Sequence, residues 1–215
     1  MKNYLAIDTA SKVLKVLVCH NGKTSYFQCD DFKSASERLM PETDRLLREA
    51  GARPADMDFF ACVTGPGSFT GIRIGMATVK ALAYACSKPV CAVTALELLA
   101  YNTIGAETAG AVCDASNGMR YVAVYDDKLR EIMSPRCLTS EELTDFLADI
   151  DEPYIVRADG AVVGEIPRAE CPTDYKDAFI SAVERASEHL IDGNALEPLY
   201  IRKPQAERDL EQGKI

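Results

Sequence analysis

Apolar runs separated by turn-forming residues predict that the chain opens with three antiparallel strands. Residues 3–7 and 13–19 are short apolar runs, and Lys23–Cys29 is a third β-rich run. Asn21 and Gly22 stand between the second and third runs, and this dipeptide favours a tight hairpin because both positions accept positive φ. The pattern therefore predicts a meander of hairpin-linked strands.

A helix is predicted to follow from Ser34 or Ser36 to Ala50, and Pro41 either kinks it or marks its first turn. The elements after it are a strand over 58–64, a glycine-rich loop over 65–71, a helix that ends at 86, a strand over 89–93 and a helix over 95–102. Three strands followed by alternating helices and strands indicate an α/β lobe with a mixed sheet.

The second half of the chain shows the same order of elements in a shorter form. Strands are predicted over 110–115, 121–125 and 129–133, followed by a helix from Ser140, a strand over 153–158 and a helix over 177–190. We therefore expect two domains, an N-terminal α/β lobe over residues 1–103 and a smaller C-terminal α/β lobe over 104–215. The charged tail over residues 202–215 is expected to end in a short terminal helix, which is able to pack back on the first lobe.

Charge and cysteine content narrow the classes of function. The 215 residues include 33 acidic and 24 basic side chains, and the net charge of −9 repels the phosphate backbone of RNA or DNA unless a basic partner takes part. None of the eight cysteines lies in a Cys-x-x-Cys motif, so we interpret them as buried, reduced thiols. Asp8 interrupts any signal peptide and no apolar run is long enough to span a membrane, which favours a cytoplasmic protein without membrane contact.

The sharpest local motif is the glycine-rich loop between a predicted strand and a predicted helix. Its backbone N–H groups and the helix N-terminus converge on one point, which suits an anion or a nucleotide phosphate. Thr70 stands where Gly-x-Gly-x-x-Gly needs a glycine, and Ile72 stands where a P-loop needs lysine. The alternative is a tight turn in which glycines allow close packing. Both interpretations stay open, and the candidate residues are Gly65, Gly67, Ser68, Thr70, Gly71 and Arg73.

Asp8 and Thr9 end the first predicted strand and add to this candidate site. A carboxylate at such a position can hold a metal-bound phosphate, but these residue types also commonly bond their own backbone in a turn. The chain has two histidines, His20 and His189, and neither belongs to a paired-histidine metal motif. The sequence thus predicts no metal site, no cofactor and no catalytic residue.

The helix after the loop carries small residues at helical spacing and has little polar surface. Gly71 and Gly75 are four residues apart, and so are Ala77, Ala81 and Ala85. A helix that is apolar on every side is either fully buried or covered by a partner. We predict that this helix and the preceding one together form an interface for another protein. The predicted contact residues are Leu39, Met40, Leu46, Gly75, Met76, Val79 and Leu82.

Five blocks, spread in order over nearly the whole chain, resemble the TsaB family. They are Tyr4–Thr9, Ser36–Pro41, Gly65–Gly75, Asp114–Ala115 and Pro198–Arg202, of which Gly65–Gly75 is the most specific. The resemblance implies the two-lobed actin/Hsp70/sugar-kinase-like (ASKHA) fold. In that fold each lobe is a mixed sheet with helices, and a nucleotide normally lies between the lobes. The second lobe of this chain is expected to be reduced.

The resemblance also implies a function. It implies a non-catalytic subunit that pairs with TsaD, the enzyme that transfers threonylcarbamoyl from an adenylate, made by TsaC, to the adenosine beside the tRNA anticodon. It further implies that the ATPase TsaE joins this complex and that the chain alone forms a homodimer through the same helices. Contact with tRNA is then only indirect, through the complex.

Two departures from the pattern of TsaD favour a non-catalytic subunit. The early helix lacks the His-x-x-x-His pair of TsaD-like proteins. The second half lacks a glycine-rich adenosine motif, to which Ala158–Ala161 is only a weak approach. The alternatives are a small ATP-dependent phosphotransferase that uses Asp8 and the Gly65 loop, or an M22-type glycoprotease-like metalloprotease. The metalloprotease needs a metal cluster, which two scattered histidines do not supply.

Overall fold

The computed structural model describes residues 2–30, 35–103, 108–148, 155–158 and 169–202. Its strands are β1 (Tyr4–Asp8), β2 (Leu14–His20), β3 (Lys23–Cys29), β4 (Phe59–Val63), β5 (Val90–Val93), β6 (Thr108–Asp114), β7 (Met119–Asp126), β8 (Glu131–Thr139), β9 (Ile155–Ala158) and β10 (Ala169–Glu170). Its helices are α1 (Ala35–Glu49), α2 (Phe69–Cys86), α3 (Ala95–Ala100), α4 (Ser140–Ala148) and α5 (Lys176–Ala186), with short 3-10 helices at Pro54–Asp56, Tyr101–Thr103 and Gly193–Ala195.

The strands form two sheets with the same topology. The strand order is β3-β2-β1-β4-β5 in the first sheet and β8-β7-β6-β9-β10 in the second. In each sheet the first three strands pair antiparallel, whereas the fourth and fifth are parallel to their neighbours. The prediction of an antiparallel meander at the start of each half, followed by a mixed sheet, is confirmed.

Turn and capping residues account for the ends of several elements in the first half. Asn21 and Gly22 adopt φ values of 50° and 76°, as the predicted hairpin requires. Ser68 caps α2, because its hydroxyl accepts a hydrogen bond from the Gly71 N–H at 3.1 Å. Ser87 adopts a left-handed conformation that terminates the same helix.

Helices α1 and α2 cover the same face of the first sheet. Gly75 of α2 lies beside Ile7 of β1. Val16 of β2 is opposite both Ile7 and Phe27 of β3 in the sheet register, so these three side chains point to one face. Arg38 of α1 lies over the Phe27 ring at 4.8 Å. The outer surfaces of α1 and α2 therefore form one side of the first lobe.

Helices α3 and α5 lie on the opposite face, where the two lobes meet. Lys15 alternates with Val16 along β2, and its ammonium lies over the ring of Tyr175, the residue before α5. α5 packs against β2, β5 and α3, and α3 packs in turn against β6, β7 and β9 of the second sheet. Among the described residues, one hydrophobic cluster therefore includes side chains from both sheets.

Several predicted boundaries differ from the structure. The helix predicted over 177–190 ends at Ala186, because the chain turns there and the His189 N–H bonds back to the Ala186 carbonyl. Pro41 lies within α1 and does not mark its first turn. The predicted domain boundary after residue 103, the weak motif over 159–161 and the charged tail from residue 203 lie outside the described residues.

Half of the cysteines are buried and half are partly buried. Cys19, Cys62, Cys91 and Cys113 are buried free thiols, which confirms the interpretation of these four as small core residues. Burial raises the pKa of the Cys91 thiol to about 12, so the group stays protonated at neutral pH. None of the described helices combines the length and the apolar character needed to cross a bilayer.

Candidate functional site

A cavity of about 270 Å³ lies where segments of the two lobes meet. The β1–β2 turn contributes Ser11 and Lys12, the glycine-rich loop contributes Gly67 and Ser68, and the end of β6 contributes Asp114. The first two segments follow the carboxyl ends of the parallel strands β1 and β4. Because α/β proteins bind ligands at that end of the sheet, this cavity is the candidate functional site.

The glycine-rich loop packs tightly against the β1–β2 turn. A Cβ atom on Gly67 would overlap the Ala10 carbonyl oxygen, so only glycine fits there. The Ser68 N–H donates to the same carbonyl at 2.8 Å, and the Gly71 N–H donates to the Ser68 hydroxyl. These contacts match the close-packing interpretation and engage N–H groups that an anion would need. Anion binding by this loop stays a prediction.

Thr9 and the glycines hold α2 against the end of β1. The buried Thr9 hydroxyl donates to the Gly71 carbonyl at 2.6 Å, and a Cβ atom on Gly75 would overlap that hydroxyl. A Cβ atom on Gly65 would lie 2.9 Å from the Leu199 carbonyl oxygen. Thr9, Gly65 and Gly71 are therefore packing residues, and they are not among the residues that line the cavity.

Thr70 and Arg73 are exposed at the start of α2 and do not line the cavity either. The Arg73 guanidinium lies 3.9 Å from the centre of the Phe69 ring and donates to the Tyr200 hydroxyl at 3.3 Å. The rings of Phe69 and Tyr200 stack at 5.1 Å. Arg73 and Phe69 thus hold Tyr200 against the start of α2. Of the predicted loop residues, only Gly67 and Ser68 line the cavity.

Asp8 is buried at the carboxyl end of β1 and forms an ion pair with Lys15 of β2. The Lys15 Nζ lies 2.7 Å from Asp8 Oδ2 and 2.8 Å from Ser11 Oγ, and both charged side chains are buried. Asp8 Oδ1 accepts the N–H groups of Ala10 and Ser11 at 2.9 and 3.3 Å, which confirms the turn-bonding alternative for Asp8. Sequence reasoning missed Lys15, although a lysine inside the apolar run 13–19 indicates a buried partner.

Asp114, at the cavity, also has cationic partners within the chain. Lys12 Nζ lies 3.2 Å from Asp114 Oδ2, Arg120 Nη1 lies 3.6 Å from Oδ1, and the Ser116 N–H donates to Oδ1 at 2.9 Å. Burial raises the pKa of Asp114, but the hydrogen bonds from Ser116 and Lys12, with the charges of Lys12 and Arg120, outweigh it and hold the pKa below its usual range. The Lys12–Asp114 pair connects the two lobes.

This pair predicts an acid-sensitive contribution to stability. Because the pKa of Asp114 is lowered in the folded protein, its contribution is present above the ordinary carboxyl pKa of about 3.9 and is lost as pH falls through the lowered value. We expect Asp114→Asn to melt below wild type at neutral pH and the difference to shrink below about pH 4. Calorimetry across pH measures this, with the exposed Asp127→Asn as control. A difference independent of pH would contradict it.

Most of the predicted interface residues lie inside the protomer. Five of the seven are buried: Leu39, Leu46, Gly75, Met76 and Val79. Their assignment to an exposed surface is wrong, because the four larger side chains belong to the hydrophobic core of their own protomer and Gly75 lies against Ile7 of β1. Leu82 is only partly exposed, whereas Met40 is 50% exposed and accessible to a partner.

The outer side of α2 is accessible and is formed mainly by small or aromatic side chains. Ala77, Ala81 and Ala85 are exposed, and Tyr84 is 87% exposed. We call these four residues the α2 face. A row of small side chains allows a second helix to approach closely, and an exposed tyrosine beside it offers a large contact area.

Two lobes of the same strand order with a cavity between them define an α/β protein of the actin/Hsp70/sugar-kinase-like class. The family model of TsaD, tRNA N6-adenosine threonylcarbamoyltransferase, matches residues 32–151. The tRNA threonylcarbamoyladenosine biosynthesis protein TsaB of Bacillus subtilis is 30% identical, over 70% of this chain and 68% of its own. The chain belongs to the TsaB family.

Two further similarities extend over both lobes. The Haemophilus influenzae tRNA threonylcarbamoyladenosine biosynthesis protein TsaB is 25% identical over 92% of each chain. The crystal structure of an uncharacterized Pseudomonas aeruginosa protein with similarity to peptidase YEAZ superposes with a TM-score of 0.78. It is 26% identical and covers 94% of this chain and all of its own. The fold class and the family predicted from sequence are thus confirmed.

Proposed function

We propose that the chain is the non-catalytic partner subunit of TsaD in the complex that forms threonylcarbamoyladenosine on tRNA beside the anticodon. The observation that carries this proposal is membership of the TsaB family, whose Bacillus subtilis and Haemophilus influenzae members are named for this biosynthesis. The match to the TsaD model supports a pairing of related folds.

The cleft supports a non-catalytic role for this chain. Asp8 is bonded by Lys15 and by its own turn, and Asp114 is bonded by Lys12. A phosphotransferase needs a carboxylate free to act on a metal or a proton, and a metalloprotease needs a cluster of metal ligands. Among the described residues, no three His, Cys, Asp or Glu side chains are grouped so that they could hold a metal ion. Neither alternative gains support from these side chains.

The α2 face is the surface that we propose for TsaD. Interfaces are dominated by a few large anchors near their centre, and the exposed side chains of Tyr84 and Met40 on this side of the lobe are of that kind. The chain alone forms a homodimer through the same face, and TsaD displaces the second copy. TsaE then joins the assembled pair.

In this proposal the complex as a whole binds tRNA, and this chain does not bind it by itself. The chain carries a net charge of −9, which opposes direct contact with a phosphate backbone. In our proposal the chain therefore contacts tRNA only indirectly, and it works in the cytoplasm, where the tRNA is modified. It supplies neither a cofactor nor a membrane anchor to the complex.

Reconstitution tests this proposal. TsaC, TsaD, TsaE and their substrates are incubated with tRNA, with or without this chain, and threonylcarbamoyladenosine is quantified by mass spectrometry of the nucleosides. We expect product when the chain and TsaD are both present, and none when either is omitted. Product made by the chain without TsaD would contradict a non-catalytic role. An unchanged rate without the chain would contradict a role in this complex.

A further inference from the structure

We propose that the Lys15 ammonium is a built-in cation that occupies the place of a divalent metal at Asp8. Asp8 ends β1 beside the glycine-rich loop, the position at which the fold would offer a carboxylate to a metal-bound phosphate. The side chains present there do not fit a metal ion. This inference concerns the cleft of this chain and does not depend on the proposed role with TsaD.

The oxygen atoms of Asp8 are fully engaged. Oδ1 accepts the N–H groups of Ala10 and Ser11, and Oδ2 lies 2.7 Å from Lys15 Nζ and 2.9 Å from Ser11 Oγ. An ionised carboxylate offers about four acceptor positions, which these four contacts fill. A metal ion could bind Asp8 only by displacing one of these groups inside the protein.

Lys15 is equally well held. Its ammonium has three N–H donors, and it lies 2.7 Å from Asp8 Oδ2, 2.8 Å from Ser11 Oγ and 3.3 Å from the Val13 carbonyl oxygen. The Tyr175 ring lies 4.3 Å away on another side and adds a cation–π contact. Asp8 and Lys15 are also directly opposite each other in the register of β1 and β2, so the hairpin itself fixes the pair.

The space beside the pair does not admit a hydrated metal. The adjoining cavity measures about 20 Å³ and is lined largely by apolar side chains, including Leu98 and Leu99 of α3. A cavity of that size holds about one water molecule. Mg²⁺ requires octahedral coordination and usually keeps several of its waters. Donor groups and space therefore both disfavour a metal at Asp8.

The test uses Mn²⁺ alone as the probe and counts bound ions by electron paramagnetic resonance on the full chain. Wild type and Asp8→Asn are expected to bind the same number of ions, because Asp8 is not available. Lys15→Ser is expected to bind one more Mn²⁺ than wild type, and the added Asp8→Asn substitution should remove that ion. Lys23→Ser, on the exposed surface of β3, makes the same change in net charge and should gain none.

A second measurement needs only the wild-type chain, since removing either partner of a buried pair can prevent folding. Bound Mn²⁺ broadens the NMR signals of nearby amides. The Ala10 and Ser11 signals are expected to persist at Mn²⁺ concentrations that broaden signals beside the exposed Asp127.

Three results would overturn the proposal. The first is selective broadening of the Ala10 and Ser11 signals by Mn²⁺. The second is a loss of bound Mn²⁺ in Asp8→Asn relative to wild type, and the third is a folded Lys15→Ser variant that gains no ion.

Discussion

Replacing Lys15 with methionine is expected to lower the free energy of unfolding by about 3–5 kcal/mol. Methionine keeps most of the side-chain volume but removes the charge, so the Asp8 carboxylate stays buried without its cation. The loss is large beside the roughly 5–15 kcal/mol that stabilises a typical protein. Chemical denaturation followed by circular dichroism measures the difference.

Lys12→Met is the matched control for this prediction. Lys12 is 61% exposed in its pair with Asp114, and exposed ion pairs contribute only about 0–1 kcal/mol. The double substitution Asp8→Asn with Lys15→Met should recover most of the loss, because a neutral amide then replaces the unpaired carboxylate. Equal losses in Lys15→Met and Lys12→Met would show that burial does not govern the strength of the Asp8–Lys15 pair.

A charge placed on the α2 face is expected to weaken binding to TsaD by about 100-fold or more while the chain stays folded. Ala81 is exposed, so Ala81→Glu should change the free energy of unfolding by no more than about 0.5 kcal/mol. In a complex that covers the α2 face the glutamate would be buried without a partner. Binding should then weaken by about 3 kcal/mol or more, which is roughly 100-fold in Kd. Isothermal titration calorimetry against TsaD measures the change.

Thr144→Glu is the control for the α2 face. Thr144 is exposed on α4 in the second half of the chain, and its replacement adds the same charge to the same kind of element. We expect this variant to bind TsaD like wild type. If Ala81→Glu also binds with unchanged affinity, TsaD does not cover the α2 face, and the proposed interface is wrong.

Much of the first lobe could be predicted because turn and loop residues mark where its strands and helices begin and end. Asn21 and Gly22 fix the hairpin between β2 and β3, and the glycine-rich loop marks the passage from β4 to α2. Such signals act through the backbone of a few consecutive residues, so they can be read without knowledge of the tertiary structure. The hairpins account for the order β3-β2-β1, whereas the position of β4 between β1 and β5 comes from the structure.

Burial on α2 could not be decided from the pattern. The helix is apolar on almost every side, so its period does not show which side meets the sheet. In the structure the larger Met76 and Val79 face the sheet, whereas the small Ala77 and Ala81 face outward. The sequence prediction placed Met76 and Val79 at the interface with a partner. In the structure they are buried in the protomer, because burying large apolar side chains stabilises its fold.

The Asp8–Lys15 pair depends on a register that the sequence does not state. The two residues lie opposite each other only because of the length of the turn between β1 and β2. A shift of one residue would move Lys15 to the other face of the sheet, away from Asp8 and Tyr175. Lys15 could therefore be recognised as an unusual residue in an apolar strand, but its partner could not be named.

The threonylcarbamoyladenosine content of tRNA in the native host tests the central claim most directly. The nucleoside is quantified by mass spectrometry after this chain is depleted, and again after wild type or Ala81→Glu is supplied. We predict that the content falls on depletion, returns with wild type and stays low with Ala81→Glu. An unchanged content after complete depletion would contradict the assignment of this chain to the modification complex.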